Sequence, residues 1–440
     1  MKLDSLGDWR RTHYSDEVSP DLHGKEVTML GWVQNIRDLG GIKFIILGDR
    51  EGDIQVTIPM TKASQAIVER AQELKKQYVF ALKGTVKKSD KTERGVEIVP
   101  NEMKVLNVAQ HPLPMDPTGR THAEIDVRLN ARALDLRRPE NRAVFVINHH
   151  VAYAIREFLS RGGFIEVQTP KIIATATEGG AALFPVLYFG KEAFLAQSPQ
   201  LYKEQLTTCF EKVFEIAPYF RAEESRTSRH TSEFISVDIE QAFATCEDVV
   251  KVAEELLAFT VDHVKKNCQK ELRILGQDPQ VPKLPLKRYS YDEIIEELRS
   301  DGVEIKWGED IPTPALRTLG ERHKDEYYFI LNWPTKAKAF YIKPREDNPE
   351  ISEGFDFMYS WMELASGGTR IHDKELLIKR MKEQDLNPES FDYHLKVFDT
   401  GMAPHAGWGM GFSRVTMILT GRDNIRECVL FPRDRFRLTP

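Results

Sequence analysis

The segment Phe220 to Phe234, FRAEESRTSRHTSEF, is held between two runs whose polarity alternates with a period of two. Val213 to Glu223 sets Glu215, Tyr219, Arg221 and Glu223 against Phe214, Ile216, Phe220 and Ala222. Phe234 to Gln241 repeats the pattern, with Ser236, Asp238 and Glu240 opposed to Ile235, Val237 and Ile239. Strand side chains point alternately to opposite faces, so the two runs predict a hairpin with an apolar underside and a charged top. The loop between them adds Arg226, Arg229 and His230. Acids and cations gathered on a sheet are costly to desolvate unless a charged ligand covers them, which makes the hairpin a candidate nucleotide site.

A chain of 440 residues exceeds a typical single domain, so two or three are expected. With 41% hydrophobic and 29% charged residues the composition is that of a soluble globular protein. No apolar run approaches the ~18 residues of a membrane span, and MKLDSLGDWRRTHY lacks a signal-peptide core. The expected location is the cytoplasm, with no membrane contact. Cys209, Cys246, Cys268 and Cys428 form no CxxC or His/Cys cluster, so free thiols are expected and no structural zinc. The net charge of −6 argues against a generally basic nucleic-acid coater, but a local binding surface depends on where charges sit.

Within residues 1–110, five short strands are expected at Glu26–Val33, Lys43–Leu47, Ile54–Ile58, Tyr78–Val86 and Val96–Val105, with a helix over Ala63–Lys76. A helix between the third and fourth of five strands is the pattern of an OB-fold β-barrel. The non-periodic HPLPMDPTGRTHAE, His111 to Glu124, lies in a linker or hinge assigned to 111–135. From residue 136 to 440 the reading is an α+β domain built on a mainly antiparallel sheet. Its first helix carries Val144, Ile147, Val151, Ala154, Ile155 and Phe158 at helical spacing and ends at Gly162–Gly163. A strand over Phe164–Thr169 follows, stopped by Pro170. Helices are expected at Glu247–Cys268, Tyr291–Ser300, Asp373–Glu383 and Val415–Thr420. Extended runs are expected at Tyr327–Asn332, Ala339–Ile342 and Gly354–Glu363.

Three further segments carry chemistry beside plainer readings. GWGMGFSR, Gly407 to Arg414, is a glycine turn before a helix or a place where backbone N–H groups and Arg414 meet an anion. In WMELASGGTR, Glu363 and Ser366 suit a Mg²⁺ that keeps water and phosphate as its other ligands, or simply end a strand. QSPQLYK could open a helix capped by Ser198, with Lys203 by itself reading as a solvated helix lysine. On the barrel, Trp32, Arg37, Lys43 and Phe44 fall near one another and suit unstacked bases, although the two aromatics fit the barrel core equally well.

Taken in order, the helix–strand–Pro element ending at Pro170, the FRAE hairpin and the Gly-rich segment leading to an Arg-bearing helix resemble the three signature motifs of class II aminoacyl-tRNA synthetases. RRTHYS, Arg10 to Ser15, and RLNARALDLRRP, Arg128 to Pro139, narrow the likeness to the subclass that charges Asp, Asn or Lys. ATATEGGAALFPVLYFGKEAFLAQSPQLYK, Ala174 to Lys203, and the closing FPRDRFRLTP resemble the archaeal and eukaryotic form of the aspartyl enzymes.

The resemblance implies ATP and Mg²⁺ as cofactors, L-aspartate and tRNA as substrates, and a homodimer with Pro170 in its interface. It places Arg221 on the α-phosphate and the substrate carboxylate, Glu223 on adenine, Arg229 and His230 on the triphosphate and Arg414 on the γ-phosphate. Ala222, Thr231, Gly411, Phe412 and Ser413 complete the nucleotide set, and Glu363 with Ser366 match the metal positions. Glu178, Ser198, Gln200, Lys203, Arg221, Asp238, Ser366 and Arg370 match the aspartate positions, Lys203 and Arg370 facing the side-chain carboxylate. Arg37, Phe44, Gln55 and Glu97 fall on the anticodon face.

Lys203 beside Arg370 favours a carboxylate over an amide, so aspartate rather than asparagine is expected. The Asp and Asn anticodons differ only in the third base, C against U. Family members that reject tRNA(Asn) present a Trp and a Lys there, where this chain has Gln34 and Glu93, so charging of both tRNA(Asp) and tRNA(Asn) is expected, which implies a tRNA-dependent amidotransferase as a partner. The alternatives are an enzyme specific for tRNA(Asp), an asparaginyl enzyme, a tRNA-independent amide ligase and a non-catalytic tRNA-binding scaffold.

Overall fold

A computed structural model describes residues 2–174, 183–223 and 227–440, which form two compact units, Met1–Pro139 and Glu140–Pro440.

In the first unit, β1 (Glu26–Asp38), β2 (Ile42–Gly48), β3 (Asp53–Pro59), β4 (Val79–Lys88) and β5 (Val96–Asn107) close into a barrel in the order β1-β2-β3-β5-β4, with α1 (Gln65–Glu73) between β3 and β4. Ser64 caps α1 by accepting from the Ile67 N–H, and the barrel is filled by Val27, Met29, Ile45, Val56, Phe80 and Ile98. The β1–β2 register slips between Val33 and Asn35, leaving Gln34 as a bulge. Beyond the bulge Asn35 pairs with Ile46 and Arg37 with Phe44, while Trp32 pairs with Gly48 before it. The bulge therefore keeps Trp32, Asn35 and Arg37 on one outer face with Phe44, and both aromatics stay outside the buried core. Lys43 departs from the expected grouping because neighbouring strand residues alternate faces: it is buried, with Nζ donating to Ala71 O at 3.0 Å and 3.1 Å from Asp38. The segment read as a linker holds two short helices, α2 (Ile125–Asn130) and α3 (Arg132–Asp135), inside this unit.

The second unit opens with α4 (Pro139–Arg161), whose buried stripe is Val144, Ile147, Val151, Ala154, Ile155 and Leu159. Gly163, at φ +80, turns the chain into β6 (Ile165–Glu166). β7 (Ile172–Ile173), β8 (Pro185–Tyr188) and β9 (Lys191–Leu195) make a small three-stranded sheet, and α5 (Gln200–Phe210) leads to the hairpin of β10 (Lys212–Phe220) and β11 (Glu233–Ala242). Then come α6 (Cys246–Asn267), α7 (Gln269–Leu275), β12 (Lys287–Ser290), α8 (Tyr291–Ser300), α9 (Thr313–Arg322) and β13 (Tyr327–Leu331). The chain closes with β14 (Gly354–Tyr359), β15 (Met362–Thr369), α10 (Lys374–Glu383), α11 (Asp392–Phe398), β16 (His405–Gly411) and α12 (Phe412–Thr420). The main sheet has the order β12-β13-β14-β15-β16-β11-β10-β6 and is antiparallel except at its outermost pairs, β12 with β13 and β10 with β6.

The hairpin register pairs Glu215 with Asp238, Phe214 with Ile239 and Ile216 with Val237, so polar and apolar residues divide between the faces as the alternation predicts. Phe214, Val237 and Ile239 join Trp408, Met410, Val415 and the α4 and α6 stripes in one core beneath the sheet. Four expectations about elements are corrected. The strand after α4 stops at Glu166, because the Thr169 N–H donates to the Glu215 carboxylate instead of extending the ladder. Ala339–Ile342 is not a strand: Phe340, Tyr341 and Ile342 are all buried in succession, and Ile342 alone bridges to Arg370. Gly354–Glu363 folds back at Ser360 and Trp361 into β14 and β15. GWGMG is a strand rather than a turn, its glycines on one face and Trp408 and Met410 on the other.

Candidate active site

A cleft of about 340 Å³ opens above the centre of the main sheet. Ser236, Asp238 and Glu240 of β11 pair with Gly411, Gly409 and Gly407 of β16; Ser236, Asp238, Gly409 and Gly411 line the cleft, and Glu240 and Gly407 lie buried next to them. A Cβ at Gly407 would lie 2.3 Å from both Glu240 Oε2 and Ile239 O, and one at Gly409 would lie 3.0 Å from Asp238 Oδ1. These glycines thus leave their volume to the carboxylates and to whatever lies above them.

Buried ions lie at one end, Asp238 and Arg370 lining the cleft and Lys203 and Glu240 packed behind them. Lys203, 2% exposed, has Nζ 3.0 Å from Asp238 Oδ1 and 3.5 Å from Glu240 Oε2, and donates to Trp408 O at 3.0 Å. Arg370 Nε donates to Glu240 Oε1 at 3.0 Å, and its Nη2 lies 3.5 Å from Gln200 Oε1. Ser236 Oγ donates to Asp238 Oδ2 at 2.5 Å. Charges this far from water persist only when paired. Burial works against the Arg370 cation, but Glu240 holds its pKa above the ordinary arginine value. Glu240, which the sequence reading placed on the polar face without a role, is the anion that Lys203 and Arg370 share.

Behind them lies a network that the sequence reading missed. Gln200, Lys203, Glu204 and Thr207, at i, i+3, i+4 and i+7 on α5, are all buried. Gln200 Nε2 donates to Glu204 Oε1 at 2.6 Å, and Glu204 Oε2 lies 3.3 Å from His394 Nε2 and 3.6 Å from His405 Nε2, within ion-pair range but outside hydrogen-bond alignment. Burial pushes the Glu204 pKa up, yet the two imidazoles hold it well below the usual carboxylate range. Burial likewise opposes charge on His405, and Glu204 raises its pKa above the ordinary value. A polar stripe at helical spacing was the available signal. Ser198 Oγ accepts from the Gln200 N–H at 3.3 Å, although the N-cap itself is Pro199.

The other end is cationic. Arg221 and Glu223, at the end of the hairpin, face the cleft with Arg229, His230 and Thr231. Arg414 Nη1 donates to Glu363 O at 2.5 Å, and its Nη2 lies 3.2 Å from His230 Nε2. Arginine only donates, so His230 Nε2 accepts and the ring is neutral. Burial, followed by the charges of Arg414 and Arg229, pushes the His230 pKa down to about 4. Arg229 stacks 4.4 Å from the Trp361 ring centroid and donates to Thr313 Oγ1 at 2.9 Å; neither partner was anticipated. Three arginines at this end of the cleft, Arg221, Arg229 and Arg414, suit a polyphosphate.

Glu363 and Ser366, three apart, would face opposite ways on a regular strand. A bulge in β15 corrects this: Met358 pairs with Glu363 but Phe357 with Ala365, leaving Leu364 extra and turning both side chains to the cleft. One carboxylate and one hydroxyl make a sparse donor set, of the kind that suits an ion keeping water and phosphate as its other ligands; among the described residues no group of three or more His, Cys, Asp or Glu is arranged to hold a metal. Gly411 and Ser413 line the cleft; Phe412 is buried in the core beneath the sheet, and Ala222 faces a second cleft beside Arg433 and Phe436. Glu178 and Arg226 lie outside the described residues. Pro170 is exposed, close after the edge strand β6.

On the barrel, Gln55 Nε2 donates to Glu97 Oε2 at 3.1 Å and Thr57 Oγ1 to the same oxygen at 2.7 Å, on the outer face that carries Phe44 and Arg37. Glu93 is exposed in the β4–β5 turn, apart from those strands. Gln34 lies in the bulge on the same face.

Residues 27–106 match the family described as OB-fold nucleic acid binding domain, and residues 124–435 match tRNA synthetases class II (D, K and N). The Aspartate--tRNA(Asp/Asn) ligase of Methanothermobacter thermautotrophicus is 51% identical over 436 residues, 99% of this chain and 100% of that one. Asparaginyl-tRNA synthetase from Pyrococcus horikoshii complexed with asparaginyl-adenylate superposes with a TM-score of 0.93 at 32% identity, covering 98% of this chain and 100% of that chain. Aspartyl tRNA synthetase from Entamoeba histolytica superposes with a TM-score of 0.86, also at 32% identity, covering 97% and 93%. Barrel, sheet and cleft agree with these matches, and the chain belongs to the class II aminoacyl-tRNA synthetases of the Asp, Lys and Asn group.

Proposed function

We propose that the chain joins L-aspartate to tRNA(Asp) and tRNA(Asn) through an aspartyl-adenylate made from ATP. The observation that carries the choice of amino acid is the buried quartet of Lys203, Arg370, Asp238 and Glu240. Its two cations and two carboxylates balance before substrate arrives. This alters the simplest argument from the sequence, in which an amide would leave both cations unpaired. Instead, an α-ammonium entering against Asp238 draws that carboxylate away from Lys203, and an incoming β-carboxylate replaces it. Aspartate brings both charges; asparagine brings only the ammonium and leaves the lysine short of a partner. The likeness to an asparaginyl enzyme makes asparagine the rival substrate.

The substrate's own α-carboxylate attacks the α-phosphorus and pyrophosphate leaves, so no protein nucleophile is required. Arg221 holds the α-phosphate and the attacking carboxylate together, Glu223 takes the adenine, and Arg229, neutral His230 and Arg414 take the outer phosphates. Glu363 and Ser366 would hold Mg²⁺, which offsets phosphate charge when bound. The ribose hydroxyl at the tRNA 3′ end then displaces AMP. Gln34 and Glu93 present no indole and no cation to the third anticodon base, which supports acceptance of both tRNAs. Aspartate on tRNA(Asn) needs its side chain amidated before use, so a tRNA-dependent amidotransferase is the expected consumer. We place the enzyme in the cytoplasm as a homodimer, with Pro170 and the exposed β6 edge in the interface. Among the described residues no helix is long and apolar enough to cross a membrane.

The test is ATP–pyrophosphate exchange with each amino acid in turn. Exchange driven by aspartate is expected, and faster exchange with asparagine would overturn the assignment.

A further inference from the structure

The Gln34 side chain ends a hydrogen-bonded chain that begins at a cation. Arg137 Nη1 meets the Gln77 amide at 2.6 Å, and the other end of that amide meets Gln34 at 2.8 Å. A guanidinium has five N–H donors and no acceptor, so the atom facing Arg137 must be Gln77 Oε1. The Gln77 NH2 then faces Gln34, and the Gln34 atom receiving it must be Oε1. The two amide orientations, which a lone glutamine leaves open, are fixed in sequence by the arginine. Each link is held in turn. Arg137 lies 4.6 Å from the Trp32 ring centroid, and Gln77 is 3% exposed, with its own N–H on Val33 O at 2.6 Å, next to the bulge. Gly48 makes room for the Gln34 amide: a Cβ there would lie 2.4 Å from Nε2. Gln34 Oε1 is engaged by Gln77, so the half-exposed amide turns its NH2 away from the relay.

Cytosine and uracil share the O2 acceptor and differ at N3 and position 4, an acceptor and an amino donor in cytosine against an N–H donor and a carbonyl acceptor in uracil. An amide that presents its NH2 to the base satisfies O2 of either pyrimidine. We infer that Gln77 and Arg137 are positioning residues that lock the Gln34 amide with its NH2 free to donate to the pyrimidine O2 of the third anticodon base, so that C and U are bound alike. This rests on the reading that both tRNAs are substrates and that this barrel face takes their anticodons.

The experiment measures kcat/KM for aspartylation of tRNA(Asp) and tRNA(Asn) transcripts by the full chain, with tRNA-free pyrophosphate exchange as the internal reference. Gln77→Leu and Arg137→Met are expected to raise KM for both tRNAs and lower both efficiencies roughly tenfold, the worth of one hydrogen bond. The ratio between the tRNAs and the exchange rate should stay unchanged, and Arg137→Lys, which retains a donor, should recover most of the loss. Gln34→Glu keeps an acceptor for Gln77 and exchanges the free donor for an acceptor, so both efficiencies should fall by about 100-fold. Unaltered charging by Gln77→Leu and Arg137→Met would overturn the relay. Gln34→Glu that spares tRNA(Asp) while losing tRNA(Asn) would show that position 4 is read, and would overturn the O2 contact. If Gln77→Leu melts the barrel, Arg137→Met and its lysine rescue decide the matter. Unaltered protein that charges tRNA(Asp) alone would overturn the two-tRNA reading and the shared contact with it. Charging of both tRNAs with inert variants would overturn this inference only.

Discussion

At Lys203 the ammonium meets two carboxylates and a carbonyl in a place that water does not reach. Lys203→Gln leaves Asp238 and Glu240 short of a cation, an imbalance of about 3–5 kcal/mol for a broken buried pair. Aspartate-dependent pyrophosphate exchange should therefore fall by more than about 100-fold. KM for ATP, read in the same assay, should move little; retained exchange would contradict the role. His230 gives a second prediction. Its folded pKa of about 4 lies below the ordinary 6.5, so between those values the unfolded chain binds a proton that the folded chain refuses. The stability contributed by the neutral ring is present above pH 6.5 and lost as the pH falls towards 4. An NMR titration of the ring in the free protein should show a midpoint near 4, and one at 6 or above would contradict the contact with Arg414. The chemistry-bearing residues of the hairpin were legible because alternation alone sorts Asp238 and Glu240 from Val237 and Ile239. Lys203 was not legible from its own segment, since a helical lysine is usually solvated. What marked it was the company of Gln200, Glu204 and Thr207 on one buried helical face.

At the scale of elements, β16 and β15 show where a single sequence misleads. GWGMG looks like a turn because glycine favours turns, yet period two was present, with Trp408 and Met410 facing the core. Its glycines answer to neighbours on β11 that lie far away in sequence, above all Glu240 beneath Gly407. Gly407→Ala should displace the Glu240 carboxylate, reduce aspartate-dependent exchange by more than about tenfold and destabilise the fold by roughly 1–3 kcal/mol, as overpacking does. Exchange assays with thermal melts check both effects, and a fully active variant would contradict the close approach. The bulge at Leu364 was likewise invisible, because a bulge is a relation between two strands. Without it Glu363 and Ser366 would point to opposite faces and could not serve one ion.

The whole molecule divides its labour between two compact units, each with its own core. That division was legible, because five short strands with one helix and a longer α+β remainder have different periodicities. Every residue proposed for activation lies within 140–440, so that unit expressed alone should retain aspartate-dependent pyrophosphate exchange and lose tRNA charging by more than about 100-fold, a loss of roughly 2.7 kcal/mol or more. Loss of exchange would show that the barrel is needed for adenylation itself. The central claim concerns the product of the two units together: aspartate on two tRNAs. It is tested most directly by charging tRNA(Asp) and tRNA(Asn) transcripts in parallel with labelled aspartate and the full chain. The account predicts that both are aspartylated, with efficiencies within about 100-fold of each other, or about 2.7 kcal/mol; a wider ratio favouring tRNA(Asp), or no aspartate on tRNA(Asn), would contradict it.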